Sequence, residues 1–211
     1  MDLLVISGGK HPYHQSTPIL MDFLKDAGHA VEMTEDPDVL VSDSMRGYDA
    51  LVYNTRRVEE LTLDYDQRTA LTQYIGGGHG FIVIHCAAGL PEAWPEYHDV
   101  TGGGWVYAGV STTPGYGQFE MTVKDGEHPC ASGISDFITN DELYMDLGWR
   151  PGNDVFLTCE YEGVSQAVAW TRKYGNGRVF KTSLGHDGLA FRTPEFQHLI
   201  LNGVDWVTEE R

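Results

Sequence analysis

The stretch FIVIHCAAG, residues 81–89, decides the fold. Phe81, Ile82, Val83 and Ile84 follow one another without a polar break. A strand buried on both faces of a parallel sheet has this pattern. His85 and Cys86 end the run, and Ala87, Ala88 and Gly89 follow. Small residues there mark a tight turn beyond the carboxyl end of a buried strand. Such a turn poses a chemical choice. Cys86 has the steric setting of an elbow nucleophile, flanked by small residues and near backbone N–H groups that hold an oxyanion. A cysteine nucleophile also needs a base and an orienting acid. His186 with Asp187, or His198, are the late candidates; His85, as the immediate neighbour, leaves the chain in another direction. The second reading assigns the work to His85 and leaves Cys86 as a small side chain filling the turn. It is preferred, with Cys86 the alternative nucleophile.

Working outward, LLVIS (3–7) before Gly8-Gly9 reads as a first buried strand, and residues 48–54, YDALVYN, as another. Residues 30–36, AVEMTED, resemble a strand between them. Residues 16–28 carry Ile19, Leu20, Phe23 and Leu24 at helical spacing, with Pro18 suited to a first turn and Gly28 to a stop. Residues 62–74 form a second amphipathic helix, with Leu63, Tyr65, Leu71 and Tyr74 on its buried face. Strand, helix, strand in alternation predicts a doubly wound, mainly parallel α/β sheet. Ligands of such sheets sit beyond the carboxyl ends of the strands, so residues 8–14, 54–57 and 85–89 should gather there. The later chain is richer in strands: 119–123, 155–161 and 166–184, the last with a YGNG hairpin turn. Residues 98–117 read as a long loop or short strands, and 194–207 as a closing amphipathic helix.

The 211 residues fit one domain, 1–211. A formal charge of −17 repels phosphate backbones and anionic bilayers, so nucleic-acid and membrane partners are not expected. Three cysteines, Cys86, Cys130 and Cys159, do not make a disulfide framework. With no signal peptide and no long apolar run, a cytoplasmic location is expected.

The candidate chemistry lies in loops. His11 and His14 follow the first strand, His85 ends the fourth, and His186 follows the late strand. Such imidazoles serve as acid/base groups near neutral pH or as ligands to a divalent metal; the bland alternative is a set of hydrogen-bonded structural histidines, the reading preferred for His29, His79 and His198. In ITNDELYMDL (138–147), Glu142 and Tyr144 suit proton transfer or sugar hydroxyls, whereas Asp141 or Asn140 reads equally well as a helix cap. Neither GxGxxG nor GxxxxGK[ST] occurs, so no nucleotide cofactor is expected.

Taken together and in order, GGKHPYHQSTPIL, GGGHGFIVIHCAAG, HPCASGI with DELY, AVAWTRKYGNGRVFKTSLGHD and LILNGVDW resemble the trehalose-utilization, or ThuA-like, family across nearly the whole chain. The resemblance implies a flavodoxin-like, class I glutamine amidotransferase-like fold with a β-rich C-terminal part. It implies a role in bacterial carbohydrate catabolism, but not amidotransferase activity, since fold does not carry function. It marks His14, His85, Glu142, and His186 with Asp187. Relatives commonly hold Ala or Ser in the place of Cys86.

The leading expectation is therefore an enzyme acting on a sugar or 3-keto-sugar by acid/base isomerisation or elimination next to a carbonyl. His14, His85, His186 and Glu142 act as acid/base groups or metal ligands, and Tyr144, Trp105 and Trp170 stack on the sugar. A Cys86 hydrolase and a non-catalytic sugar-binding or assembly subunit are the other readings. A homo-oligomer is compatible with each.

Overall fold

The computed structural model describes residues 1–89, 94–107 and 109–209. Its strands are β1 (Asp2–Gly9), β2 (Ala30–Thr34), β3 (Ala50–Arg56), β4 (Gly80–Ile84), β5 (Tyr116–Val123), β6 (Phe137–Glu142), β7 (Asp154–Tyr161), β8 (Val164–Tyr174) and β9 (Gly177–Thr182). They form one nine-stranded sheet in the order β2-β1-β3-β4-β9-β8-β7-β5-β6. From β2 to β9 the pairings are parallel; from β9 to β6 they are antiparallel. The sheet is thus doubly wound at one end and β-rich at the other, as an α/β class requires.

Strand alternation explains the unbroken apolar runs. Leu3 and Val5 of β1, Ile82 of β4 and Phe180 of β9 face one layer, packed on α1 (Tyr13–Asp26) and α5 (Pro194–Thr208). Leu4, Ile6, Phe81, Val83 and Val179 face the other, against α2 (Tyr65–Gly76) and α3 (Tyr97–Thr101). Both faces are covered, so both sets of alternating residues must be apolar.

Helix starts differ from expectation. α1 begins at Tyr13, which puts Pro18 inside it. The carbonyl that Pro18 leaves without an N–H partner is that of exposed His14, where water can serve. α2 begins after Asp64, whose carboxylate accepts from Gln67 N while Gln67 returns a bond to the Asp64 N–H, a capping box. Tyr65 consequently points outward, 77% exposed, rather than into the core. Residues 138–142 are not a helix start but most of β6, paired with β5. α4 (Gly188–Arg192) follows the loop after β9. No helix among the described residues is long and apolar enough to cross a membrane.

Candidate active site

Strand order reverses between β1, which carries β2 on one side, and β3 on the other. The carboxyl ends of β1, β3, β4 and β9 meet there, and the end of β6 approaches from the antiparallel half. A cavity of about 420 Å³ opens at this place. His11 enters it from the loop after β1, Arg56 from the last position of β3, and Cys86 from the turn after β4. His186 comes from the loop after β9, and Glu142 and Tyr144 from the end of β6. Trp105, Tyr107 and Thr113 supply the remaining wall.

Two glycines make the approach of these segments feasible. Gly9 has φ +98°, and a Cβ there would lie 2.2 Å from the Arg56 carbonyl oxygen. Gly185, just before His186, has φ +115°, and a Cβ would lie 2.6 Å from Ile84 Cγ2. A side chain at either position would meet both a left-handed backbone and a clash.

His85 lies one layer behind the cavity wall and is 2% exposed. Its backbone is left-handed, φ +53°, which is uncommon outside glycine. Three contacts over-determine that turn. Nδ1 lies 2.7 Å from the Ser183 carbonyl, Nε2 lies 2.7 Å from the Tyr144 hydroxyl, and the His85 carbonyl accepts from Lys181 Nζ at 3.1 Å. A carbonyl only accepts, so Nδ1 carries the proton and Nε2 presents a lone pair to the Tyr144 O–H. Burial, with His11 nearby, holds the His85 pKa well below the ordinary value. Lys181 itself is buried beneath the turn, and burial lowers its pKa to about 7.

Glu142 Oε2 lies 3.1 Å from His186 Nδ1 and 3.7 Å from His85 Nε2, and it accepts from Tyr144 at 3.2 Å. The bond to His186 holds the Glu142 carboxyl below its usual range, and the same pairing raises His186. Burial lowers His11 to about 4. The rings of His11, His85 and His186 lie with centroids 4.6–5.4 Å apart. One nitrogen from each lies within 4.8 Å of the others.

The expected residues divide. The structure brings His85, Glu142, His186, Tyr144 and Trp105 together. His14 is not with them: it projects from the exposed side of α1, and His11, two residues before α1 begins, takes the place. Asp187 is committed elsewhere, capping α4 through Leu189 N at 2.8 Å and Ala190 N at 3.3 Å and accepting from Tyr116 at 3.0 Å. Trp170 is 0% exposed, with its indole N–H on the Thr101 carbonyl at 2.9 Å, and lies outside the cavity. Asp141, read as a helix cap, instead bridges chain segments: it accepts from the N–H groups of Glu142, Gly185 and His186. Arg56 and Tyr107 carried no role in the sequence reading. The available signal was the arginine pair Arg56-Arg57 at the end of the apolar strand β3, within the 54–57 segment expected at the ligand edge. Arg56 Nε donates to the Tyr107 hydroxyl at 3.2 Å and Nη1 to the Lys10 carbonyl at 3.2 Å.

Cys86 touches the cavity but is only 6% exposed. Its hydrogen-bond partner among the described residues is the Tyr13 hydroxyl at 3.3 Å, and no histidine bonds to the sulfur there. Burial pushes the thiol up to about 11. Iodoacetamide should therefore label Cys86 slowly in the native protein and rapidly after denaturation, because the thiolate and access are both required. Rapid native labelling at neutral pH, read by mass spectrometry, would restore Cys86 as a nucleophile.

Residues 2–207 match the family model ThuA, trehalose utilisation. No protein of curated function matches the sequence. Among solved structures, a ThuA-like protein of Parabacteroides merdae is similar, with a TM-score of 0.84 and 22% identity over 99% of this chain and 90% of its own. One of Bacteroides uniformis has a TM-score of 0.79 and 19% identity, covering 98% and 91%. A cytoplasmic protein of Salmonella typhimurium has a TM-score of 0.66 and 15% identity, covering 98% and 99%. At these identities the likeness concerns the fold.

Proposed function

Because the chain belongs to the ThuA family of trehalose utilisation, we propose that it is an enzyme acting on a sugar or 3-keto-sugar by proton transfer at a carbon next to a carbonyl. The observation that carries this reading is the Glu142–Tyr144–His85 array at the wall of an aromatic-lined cavity. Glu142 is the base: a half-buried carboxylate kept charged by His186. The Tyr144 hydroxyl donates to the carbonyl oxygen, which gains negative charge as the proton leaves. His85, fixed as the Nδ1–H tautomer, accepts that single Tyr144 proton at Nε2 before substrate binds and yields the bond to the carbonyl oxygen afterwards, so it positions the hydroxyl. Donors aimed at a developing oxyanion are among the strongest catalytic effects. Arg56 stands at the same cavity as a second source of positive charge.

The enolate so formed takes the proton back from Glu142 at the former carbonyl carbon while the α-hydroxyl proton passes to the former carbonyl oxygen, which is isomerisation. Or it expels the β-oxygen substituent, which leaves as an alcohol with the proton held by Glu142, which is elimination. Trp105 and Tyr107 offer ring faces to the apolar side of a pyranose, while the polar side meets Glu142 and the histidines. The cavity volume is within the range of about 300–1,000 Å³ common for small-molecule sites.

The direct experiment is to incubate the protein with a 3-keto-glucoside in D2O and follow the proton next to the carbonyl by NMR. Enzyme-dependent deuterium incorporation there, with or without product, is expected. Saturable binding of the sugar with neither exchange nor product would instead indicate a non-catalytic binding subunit.

A further inference from the structure

We propose that His11, His85 and His186 hold a divalent first-row transition-metal ion of the Zn2+ class at the floor of the cavity. The three imidazoles come from different loops, after β1, β4 and β9, yet one nitrogen of each lies within 4.8 Å of the others. A tetrahedral ion with bonds of about 2.1 Å needs its ligand atoms about 3.4 Å apart, so each pair closes by at most about 1.4 Å on loading.

Three features separate this set from a chance meeting of histidines. First, His11 Nε2 is buried and has no hydrogen-bond partner among the described residues. A buried ring nitrogen left unsatisfied is costly, and a metal bond would satisfy it. Second, His85 is arranged as metal-binding histidines usually are. Its Nδ1–H is donated to a backbone carbonyl, that of Ser183 at 2.7 Å, which leaves the Nε2 lone pair facing the cluster. Tyr144 holds that lone pair in its absence, and it has a second acceptor ready in Glu142 at 3.2 Å. Third, Glu142 places a carboxylate 3.1 Å from His186 Nδ1. A carboxylate behind or beside a ligating imidazole orients it and offsets the charge of the ion.

The donor chemistry selects the class of ion. Imidazole suits zinc, nickel, copper and iron, whereas magnesium and calcium take oxygen donors. With three protein ligands the fourth position stays open towards the cavity, the arrangement of catalytic rather than structural sites. This inference rests on the keto-sugar reading only for its use: a bound dication would polarise the carbonyl oxygen that Tyr144 addresses.

The test needs no substrate. Tag-free protein, stripped with a chelator, is titrated with Zn2+ by calorimetry and with Co2+ by visible spectroscopy. The expected result is one equivalent bound and Co2+ ligand-field bands of a nitrogen-coordinated site. His11→Ala should weaken Zn2+ binding by about 100-fold or more, the scale set by ligand and supporting-shell losses. His14→Ala, on the exposed side of α1, should leave it unchanged, with circular dichroism confirming that both variants are folded. Wild-type protein that binds neither ion, or a His11→Ala variant that binds as tightly, overturns the proposal. Deuterium exchange by metal-free protein would at the same time leave the proton-transfer reading standing, so the two can fail separately.

Discussion

Glu142→Gln is expected to lower turnover of a 3-keto-glycoside by about 100- to 10,000-fold, the range for loss of a general base. The substitution keeps the size of the side chain and an acceptor for the Tyr144 hydroxyl at 3.2 Å. It removes the negative charge that faces His186 at 3.1 Å and the lone pair that takes the proton. Because the base acts in the transition state, kcat and kcat/KM should fall together. Cys86→Ala, assayed in parallel, should retain turnover, since the thiol bonds to Tyr13 rather than to a histidine. His85→Ala should also abolish turnover, by releasing the Tyr144 hydroxyl; its buried place makes a folding check part of that measurement. A folded Glu142→Gln enzyme with less than tenfold loss would remove Glu142 as the base.

The second large effect is on stability. Trp170→Ala should destabilise the protein by about 3–5 kcal/mol, the usual loss when a large aromatic leaves a core. At about 2–4 °C per kcal/mol for a domain of this size, Tm should fall by about 6–20 °C. Trp170 is fully buried, packs edge-on against Trp149 with centroids 5.2 Å apart, and donates to the Thr101 carbonyl. Its ring also lies 5.5 Å from the buried Lys181 ammonium. Truncation leaves a void, an unpaired carbonyl and a less well-covered cation. A change of Tm under about 2 °C in a thermal melt would return Trp170 to the sugar-stacking role expected from the sequence.

The contrast between Trp170 and Trp105 shows what a sequence conceals. Both are tryptophans in the β-rich half, and nothing local separates a sugar platform from a core filler. Trp170 alternates in phase with Val168 on β8, so its neighbours were on the page, but the cover over its face comes from Thr101 and Trp149, far along the chain. The parallel strands were legible for a physical reason: burial on two faces forces continuous apolar runs, as in β1, β3 and β4. β6 was not, because only alternate residues of FITNDE are buried, and a buried Asp141 looked like a helix cap. The carboxylate does bind backbone N–H groups, as caps do, but two of the three lie in the 185–186 segment, over forty residues away. The choice between His11 and His14 had the same character. Both closely follow β1 in the sequence, and only the onset of α1 at Tyr13 leaves His11 in the loop towards the cavity and puts His14 on the solvent side of the helix.

The order of strands in the sheet has a kinetic consequence. β9 is the eighth strand's hairpin partner and also the parallel neighbour of β4, so Ile84 pairs with Thr182 across nearly half of the chain. The hairpin closes locally, but docking it on β4 must overcome the closure entropy of a very long loop. Until that step is complete, His11 and His85 stand on one partial sheet and Glu142 and His186 on another. A nascent chain is therefore chemically silent until nearly all of it has been released and assembled. Any ligand spanning both groups favours the completed state alone, acting as a latch on the last step of folding.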